Sequence, residues 1–376
     1  MDLVIPKKDL LRLVARCQGV ADKKSAMPAL ANVLLVAEGQ TLRVAATDLY
    51  MSVSGQASAE VTTSGSVAVP ARDFLERIKA MPEGPVQILT GAGAQTTLKA
   101  VGLPRRYTLH GMPGTEFPAL PKPAQGAPAL EMPVDLLGLL IARTHFSISS
   151  DETRPHVNSA LFEWSGERAR MVTTDGHRLS KMEATVDGSS ATATMLVPLK
   201  AVSELRRLAD DAKAERETST VGITQSGPNA FFNLAGMQFS VKLVDAQFPP
   251  YQQVIPAVTT RTIRVPRLPF ADALRAISLA ASDRTGGVKL SFSGNVLRIT
   301  SESPESGNGF DEIPVDYNGP ELTIGFNAKY FLDVLASIED EEVLFGISGE
   351  LDPATVRPAG ESSRESYVAV VMPMRI

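Results

Sequence analysis

The sequence predicts an α+β fold built three times over, each unit two amphipathic helices packed on antiparallel sheet. Three observations support this reading. The chain has 376 residues, more than one hydrophobic core serves, and usual domain sizes point to about two to four domains. Separate sequence markers recur with a period near 128 residues. Within each period, apolar residues switch between helical and alternating spacing.

The first unit opens with a helix whose Leu10, Leu11, Leu13, Val14 and Cys17 share one side, while Lys8, Arg12 and Arg16 are expected as an exposed basic stripe. The matching helices start near Pro133-Val134-Asp135 and Leu268-Pro269-Phe270, where proline suits a first turn. The first marker runs Leu42-Arg43-Val44-Ala45-Ala46-Thr47-Asp48, then Ala169 to Asp175, then Val296 to Glu302; its acids Asp48, Asp175 and Glu302 are 127 residues apart. The second is a strand meeting a helix at Val69-Pro70, Val197-Pro198 and Gly325-Phe326-Asn327, with helices expected over Asp73–Met81, Ala201–Ala209 and Ala328–Ile338. The third is a closing strand with Tyr107, Phe239 and Tyr367, followed in the first two units by Phe117-Pro118 and Phe248-Pro249.

Strands such as Val61-Thr62-Thr63 and Thr260 to Val265 alternate between these helices, punctuated by Glu38-Gly39, Asp187-Gly188 and Ser293-Gly294 turns. Gly91-Ala92-Gly93 suits a strand connection, and Ser301 to Glu312 suits an acidic loop. Pro118 to Pro128 and the region of Ile255-Pro256-Ala257 are the connectors, giving domains 1–125, 126–255 and 256–376.

Composition excludes several classes. The 44% apolar and 21% charged content is ordinary, and no segment approaches the ~20 apolar residues that cross a bilayer. The N-terminal Met1-Asp2-Leu3-Val4-Ile5-Pro6 lacks a secretory pattern, so a cytoplasmic location is expected. Cys17 is the one cysteine, which excludes internal disulfides and multi-cysteine metal sites, and its helical position suits a buried apolar group. The net charge of −5 argues against a uniformly phosphate-binding surface, yet six basic residues against three acids in the first 24 leave room for a local one.

An enzyme would have to use Asp48 and Asp175 or the histidines His110, His145, His156 and His177. The chain has no H-E-x-x-H, no phosphate-binding glycine loop and no G-x-S-x-G elbow. Acids recurring in every unit suit architecture, whereas a catalytic site is normally unique. No cofactor and no metal site are expected.

Thr174-Asp175-Gly176-His177-Arg178-Leu179, taken locally, suits a hairpin turn. Together with Lys242 to Tyr251 and the C-terminal Tyr367 to Ile376, in that order and across the whole length, it resembles the β subunit of bacterial DNA polymerase III. The resemblance implies a non-catalytic sliding clamp: three clamp domains per protomer and a head-to-tail homodimer closing into a ring around double-stranded DNA. Implied partners are the polymerase III catalytic subunit, the clamp loader and other polymerases or repair proteins carrying short linear motifs, with no membrane involvement. A clamp-like paralogue acting as a scaffold or drug-resistance variant is the alternative.

By position, the resemblance implies a peptide-binding pocket of Val157, Thr174, Gly176, His177, Arg178, Leu179, Pro249, Val254, Val370, Met372, Pro373, Met374 and Arg375. Gln253 and Thr285 depart from the commoner family pattern there. Lys24, Arg72, Arg154 and Lys200 are the implied DNA contacts, beside a departure at Pro155-His156. The implied dimer interface joins Arg105, Arg106 and Tyr107 to Leu279, Ala280, Glu305, Asp311 and Glu312.

Overall fold

The structure is a computed structural model and describes residues 1–127, 129–187, 192–215, 220–282, 286–360 and 362–376. Pro128, Gly188 of the expected Asp-Gly turn, and Thr285 lie outside the described residues. The chain forms two compact units, Met1–Leu137 with Ser203–Leu243, and Gly138–Val202 with Val244–Ile376.

The first unit contains two sheets. One has the order β5 (Glu60–Thr63), β1 (Asp2–Pro6), β7 (Pro85–Thr90), β8 (Gln95–Ala100), β9 (Arg106–His110). The other runs β10 (Met112–Pro113), β6 (Gly65–Pro70), β2 (Asn32–Glu38), β3 (Thr41–Thr47), β4 (Met51–Ser58), β18 (Met237–Lys242), β17 (Asn229–Leu234), β16 (Thr220–Ser226), β11 (Ala129–Pro133). In the second unit, one sheet is β15 (Thr192–Pro198), β12 (Ser159–Ser165), β13 (Arg168–Thr174), β14 (Arg178–Thr185), β26 (Glu365–Val371), β25 (Ala354–Pro358), β24 (Glu342–Ile347), β19 (Arg261–Pro266). Its other sheet is β22 (Gly307–Pro314), β21 (Val296–Ser303), β20 (Gly287–Ser293), β23 (Leu322–Asn327). Every pairing is antiparallel, and β4–β18 and β14–β26 carry the ladder from one sequence repeat into the next.

Six helices lie among the described residues: α1 (Lys7–Gln18), α2 (Ala71–Lys79), α3 (Val134–Thr144), α4 (Leu199–Glu215), α5 (Arg267–Ser278) and α6 (Ala328–Ser337). Five begin directly after a strand whose last residue is proline: Pro6, Pro70, Pro133, Pro198 and Pro266. Proline has no N–H to leave unpaired at this junction and holds φ near the value the turn needs. At the sixth junction Asn327 stands instead, and its side chain accepts from the Lys329 N–H at 2.9 Å.

The apolar stripe of α1 buries Leu10, Leu13, Val14 and Cys17 in the first unit. Burial pushes the Cys17 thiol up to about 12, so it is protonated and inert. The second unit has an aromatic centre in which the Phe331 ring lies 5.1 Å from Phe326, 5.4 Å from Phe345 and 6.0 Å from Phe270.

Four readings of the sequence need correction. The basic stripe of α1 is not uniformly exposed: Lys8 is in solvent, Arg12 is half-buried, and Arg16 is 3% exposed with Nη1 donating to the Ala235 carbonyl at 3.1 Å. The helix expected over Ala201–Ala209 continues to Glu215, because Ala212 extends its buried face and Arg207 pairs with Asp211 one turn on at 2.9 Å. Residues 301–312 are not a loop but the ends of β21 and β22 joined by a short turn. Glu302 accordingly lies inside a strand, whereas Asp48 and Asp175 each follow one.

Truncating Phe331 to Ala should cost about 3–5 kcal/mol of stability, because the packed rings around it cannot close the hole. Urea denaturation followed by circular dichroism measures the loss, and an unchanged midpoint would show that this cluster does not hold the second unit together.

Candidate functional site

Thr174 to Arg178 makes a tight turn between β13 and β14. The Asp175 carboxylate accepts from the N–H groups of His177 at 2.9 Å and Arg178 at 3.0 Å, and the Thr174 hydroxyl donates to the Arg178 carbonyl at 2.7 Å. Thr47 to Met51 repeats this turn in the first unit: Asp48 accepts from Tyr50 and Met51, and Thr47 donates to the Met51 carbonyl at 2.8 Å. Both third residues have left-handed backbone, Leu49 at φ 76° and Gly176 at φ 94°. Glycine adopts it without the strain a side chain brings.

The sheet positions after the two turns differ in chemistry. Leu179 pairs with Val370 across β14 and β26, and both belong to a buried cluster with Leu161, Val172, Leu196, Tyr251 and Val368. At the matching register in the first unit Ser52 pairs with Ser240, their hydroxyls 2.5 Å apart. One copy therefore has a buried apolar floor and the other a closed pair of hydroxyls.

Side chains around the apolar floor are fixed by buried charge. Arg178 donates to Asp175 at 3.0 Å, to Asp333 of α6 at 2.6 Å and to the Phe146 carbonyl, and lies 4.6 Å above the Tyr330 ring. Exposed His177 stacks on the same ring at 6.5 Å. Burial, with Asp175 adding to it, raises the Tyr330 phenol, which stays neutral. Beneath the Phe248-Pro249-Pro250-Tyr251 segment, Arg170 donates to the Tyr251 hydroxyl at 2.8 Å and to Glu183 at 2.6 Å, and Tyr251 donates to Glu163 at 3.0 Å. Burial alone would raise Glu183, but hydrogen bonds from Arg170 and Arg168 prevail and lower it.

The C-terminal tail closes the arrangement. The Met372 N–H donates to the His177 carbonyl at 2.9 Å and the Met374 N–H to the Gly325 carbonyl at 2.8 Å. A Cβ on Gly325 would collide with the Met374 carbonyl and the Ile376 side chain, so the glycine standing where the other repeats have Val69 and Val197 lets the tail cross β23.

Of the implied pocket residues, Leu179 and Val370 share the floor, and Thr174, Gly176, His177 and Arg178 form the turn. Met372, Pro373, Met374 and Arg375 lie on the tail, Pro249 is half-buried beside Phe248, Val254 is 40% exposed, and Val157 is buried. Arg154, implied as a DNA contact, lies beside the turn: a Cβ on Gly176 would be 3.7 Å from its Nη2. Lys24, Arg72 and Lys200 are exposed, with Arg72 and Lys200 in the first turns of α2 and α4. Arg106 and Tyr107 lie on β9, an edge strand, and Arg105 just before it donates to the Ala80 carbonyl. Asp311 and Glu312 lie on β22, the edge of another sheet, with Glu305 on the turn before it. Leu279 is 82% exposed, whereas Ala280 is only 8% exposed, covered by β22 near Gly309. Nothing local in the sequence points to Tyr330, Asp333 or Phe310, or to the side-chain role of Tyr251 and Arg170. The recurrence of Arg43, Arg170 and Arg298 at one place in the repeat was the available signal for Arg170.

Models of the N-terminal, central and C-terminal domains of the DNA polymerase III beta subunit match residues 1–121, 131–250 and 252–375. The chain belongs to that family. It is 32% identical over 379 residues to the beta sliding clamp of Pseudomonas aeruginosa and 29% identical over 377 to that of Escherichia coli, with all of each chain covered. The solved P. aeruginosa DNA polymerase III subunit beta matches it with a TM-score of 0.92 at 31% identity over the whole of both chains. The Bacillus subtilis DNA polymerase sliding clamp matches at 0.92 and 26%, covering 100% of this chain and 99% of that one. The family is a three-domain α+β clamp and a non-catalytic processivity subunit, so the enzyme alternative is set aside.

The lowered Glu183 carboxyl predicts an acid-sensitive site. Its contribution to stability is complete above the ordinary carboxyl value of 4.5 and is lost as pH falls through the lowered folded value. Replacing Glu183 with Gln should flatten the decline in thermal midpoint below pH 4.5. An equally steep decline in the variant would remove Glu183 as its source.

Proposed function

We propose that this sliding clamp works as a head-to-tail homodimer, a closed ring around duplex DNA in the cytoplasm, and tethers the polymerase III catalytic subunit, the clamp loader and other polymerases or repair proteins through the groove at Leu179 and Val370. The observation that carries the tethering role is the apolar floor between a fixed turn and the C-terminal tail. An extended segment with one or two apolar side chains could bury them there, while the tail and turn supply polar groups at its rim.

The floor takes Leu179 and Val370, with Val157 and Pro249 behind it. Gly176, His177, Val254, Met372, Pro373, Met374 and Arg375 would touch the bound segment. Thr174 and Arg178 position it, since their polar groups are already engaged. Arg154 is assigned to the rim by its place beside Gly176. Gln253, exposed next to Val254, would adjust which segments are preferred.

For ring closure, two unpaired edges offer complementary chemistry. β9 brings Arg106 and Tyr107, with Arg105 beside it; β22 brings Asp311, Glu312 and a 63% exposed Phe310, with Leu279 nearby. A three-repeat chain then contributes domains 1–125, 126–255 and 256–376 to the ring. Lys24, Arg72 and Lys200 would contact phosphates without reading bases, as sliding requires.

Deleting Met372 to Ile376 should abolish binding of a polymerase-derived linear-motif peptide while leaving the oligomeric state intact, and fluorescence anisotropy with an unchanged affinity would refute the groove. Sedimentation should give twice the 40.1 kDa chain mass, and Leu279→Asp with Phe310→Asp should give the monomer. Loaded protein should remain on circular DNA and run off linear DNA; equal retention on both would argue against encirclement. Exchanging Lys24, Arg72 and Lys200 for Gln should weaken loading and make it less salt-dependent, because each lost phosphate contact releases fewer counterions.

A further inference from the structure

Among the described residues, the second unit holds a buried guanidinium without an anionic partner. Arg143, in the last turn of α3, is 9% exposed, and its Nε and Nη1 are buried with no hydrogen-bond partner. Its guanidinium carbon lies 5.2 Å from the centroid of the Tyr367 ring. Burial raises the Tyr367 phenol, so the ring there is neutral. Elsewhere in this unit half-buried arginines are satisfied, Arg178 by two carboxylates and Arg170 by two carboxylates and a hydroxyl. A buried cation left unpaired is costly, and an aromatic face offsets only part of that cost.

Arg143 and Tyr367 line a cavity of about 340 Å³, which Arg357, Gly360, Ser362 and Ser366 also line. A cavity of this size takes a small molecule. Arg357 supplies a second cation at its exposed side, and Ser362 and Ser366 bring hydroxyls. Among the described residues, two acids limit what can enter: Asp340, whose carboxylate already accepts from the Gly360 N–H at 2.7 Å, and Glu365. They would repel an extended polyanion such as a nucleic-acid backbone but leave room for one compact anionic group against Arg143.

We propose that this cavity is a binding site for a small oxyanion, a carboxylate or a phosphate group, with Arg143 as its charged ligand and Arg357 and the serine hydroxyls at its mouth. The site is separate from the groove, which uses Val368 and Val370 of the same strand and does not include Tyr367. It requires neither DNA nor a peptide, so its failure would leave the tethering function untouched.

The test titrates the full-length protein with inorganic phosphate, and separately with acetate, at constant ionic strength in chloride. Phosphate binding is followed by phosphorus NMR line broadening, and both anions by the thermal midpoint. Saturable binding of at least one anion is expected, with affinity at least about ten-fold weaker in Arg143→Gln, the loss of a charge-assisted hydrogen bond. Phosphate alone, or acetate alone, would assign the ligand class. Arg143→Met, which keeps the bulk of the stem, should be more stable than the parent in chloride and should gain nothing from the anion; it replaces Arg143→Gln should that variant not fold. The proposal is overturned if neither anion saturates, or if the variant binds as the parent does, which would mean adventitious binding to surface cations only.

Discussion

The antiparallel ladder between β14 and β26, from Arg178 opposite Val371 to Ala184 opposite Glu365, is the contact on which the groove depends. It joins the central repeat to the third, so that Leu179 and Val370, which are 191 residues apart in the chain, become neighbours. The ladder's period of two then assigns the faces. Val368 and Val370 join the apolar cluster, while Tyr367 turns to the opposite face of the same sheet and meets Arg143. A slip of one residue would exchange the two sets.

The same ladder is present once more, between β4 and β18, and comparison of the two copies separates scaffold from function. Turn geometry is shared: Thr47-Asp48 and Thr174-Asp175 make the same hydrogen bonds, and the Lys242 N–H donates to the Tyr50 carbonyl as the Met372 N–H does to that of His177. What differs is the pair that follows. Two serines consume each other's hydrogen-bonding capacity in the first unit, whereas a leucine and a valine in the second join a buried apolar cluster. The two copies share the frame and differ in side-chain chemistry at one register.

Rigidity around this cluster comes from charges that are largely withdrawn from solvent and satisfied. Arg178 ties the turn to Asp333 of α6, and Arg170 ties Tyr251 to Glu163 and Glu183. Such networks hold their members in one geometry because breaking any pair strands a buried charge. Arg298 makes the corresponding cross-strand pair with Glu312 at 3.3 Å in the third repeat, and Arg43 faces Gln56 in the first. The repeat thus keeps an arginine at this place while its partner varies, and only the central copy builds it into a wall for the groove.

Sequence alone determined the α+β class, the threefold repeat, and the strand–proline–helix junctions at Pro70 and Pro198, because these follow from local periodicity and from the backbone limits of proline. It also determined the turn at Thr174-Asp175, whose hydrogen bonds close within five residues. It could not determine that Arg16 would be buried, since helical spacing gives a face but not what covers it. Nor could it reveal the roles of Tyr251, Tyr330 and Asp333, or that Gly325 clears a path for the tail. Those depend on strands and helices more than a hundred residues apart being brought to one place, and only the tertiary pairing of β14 with β26 does that.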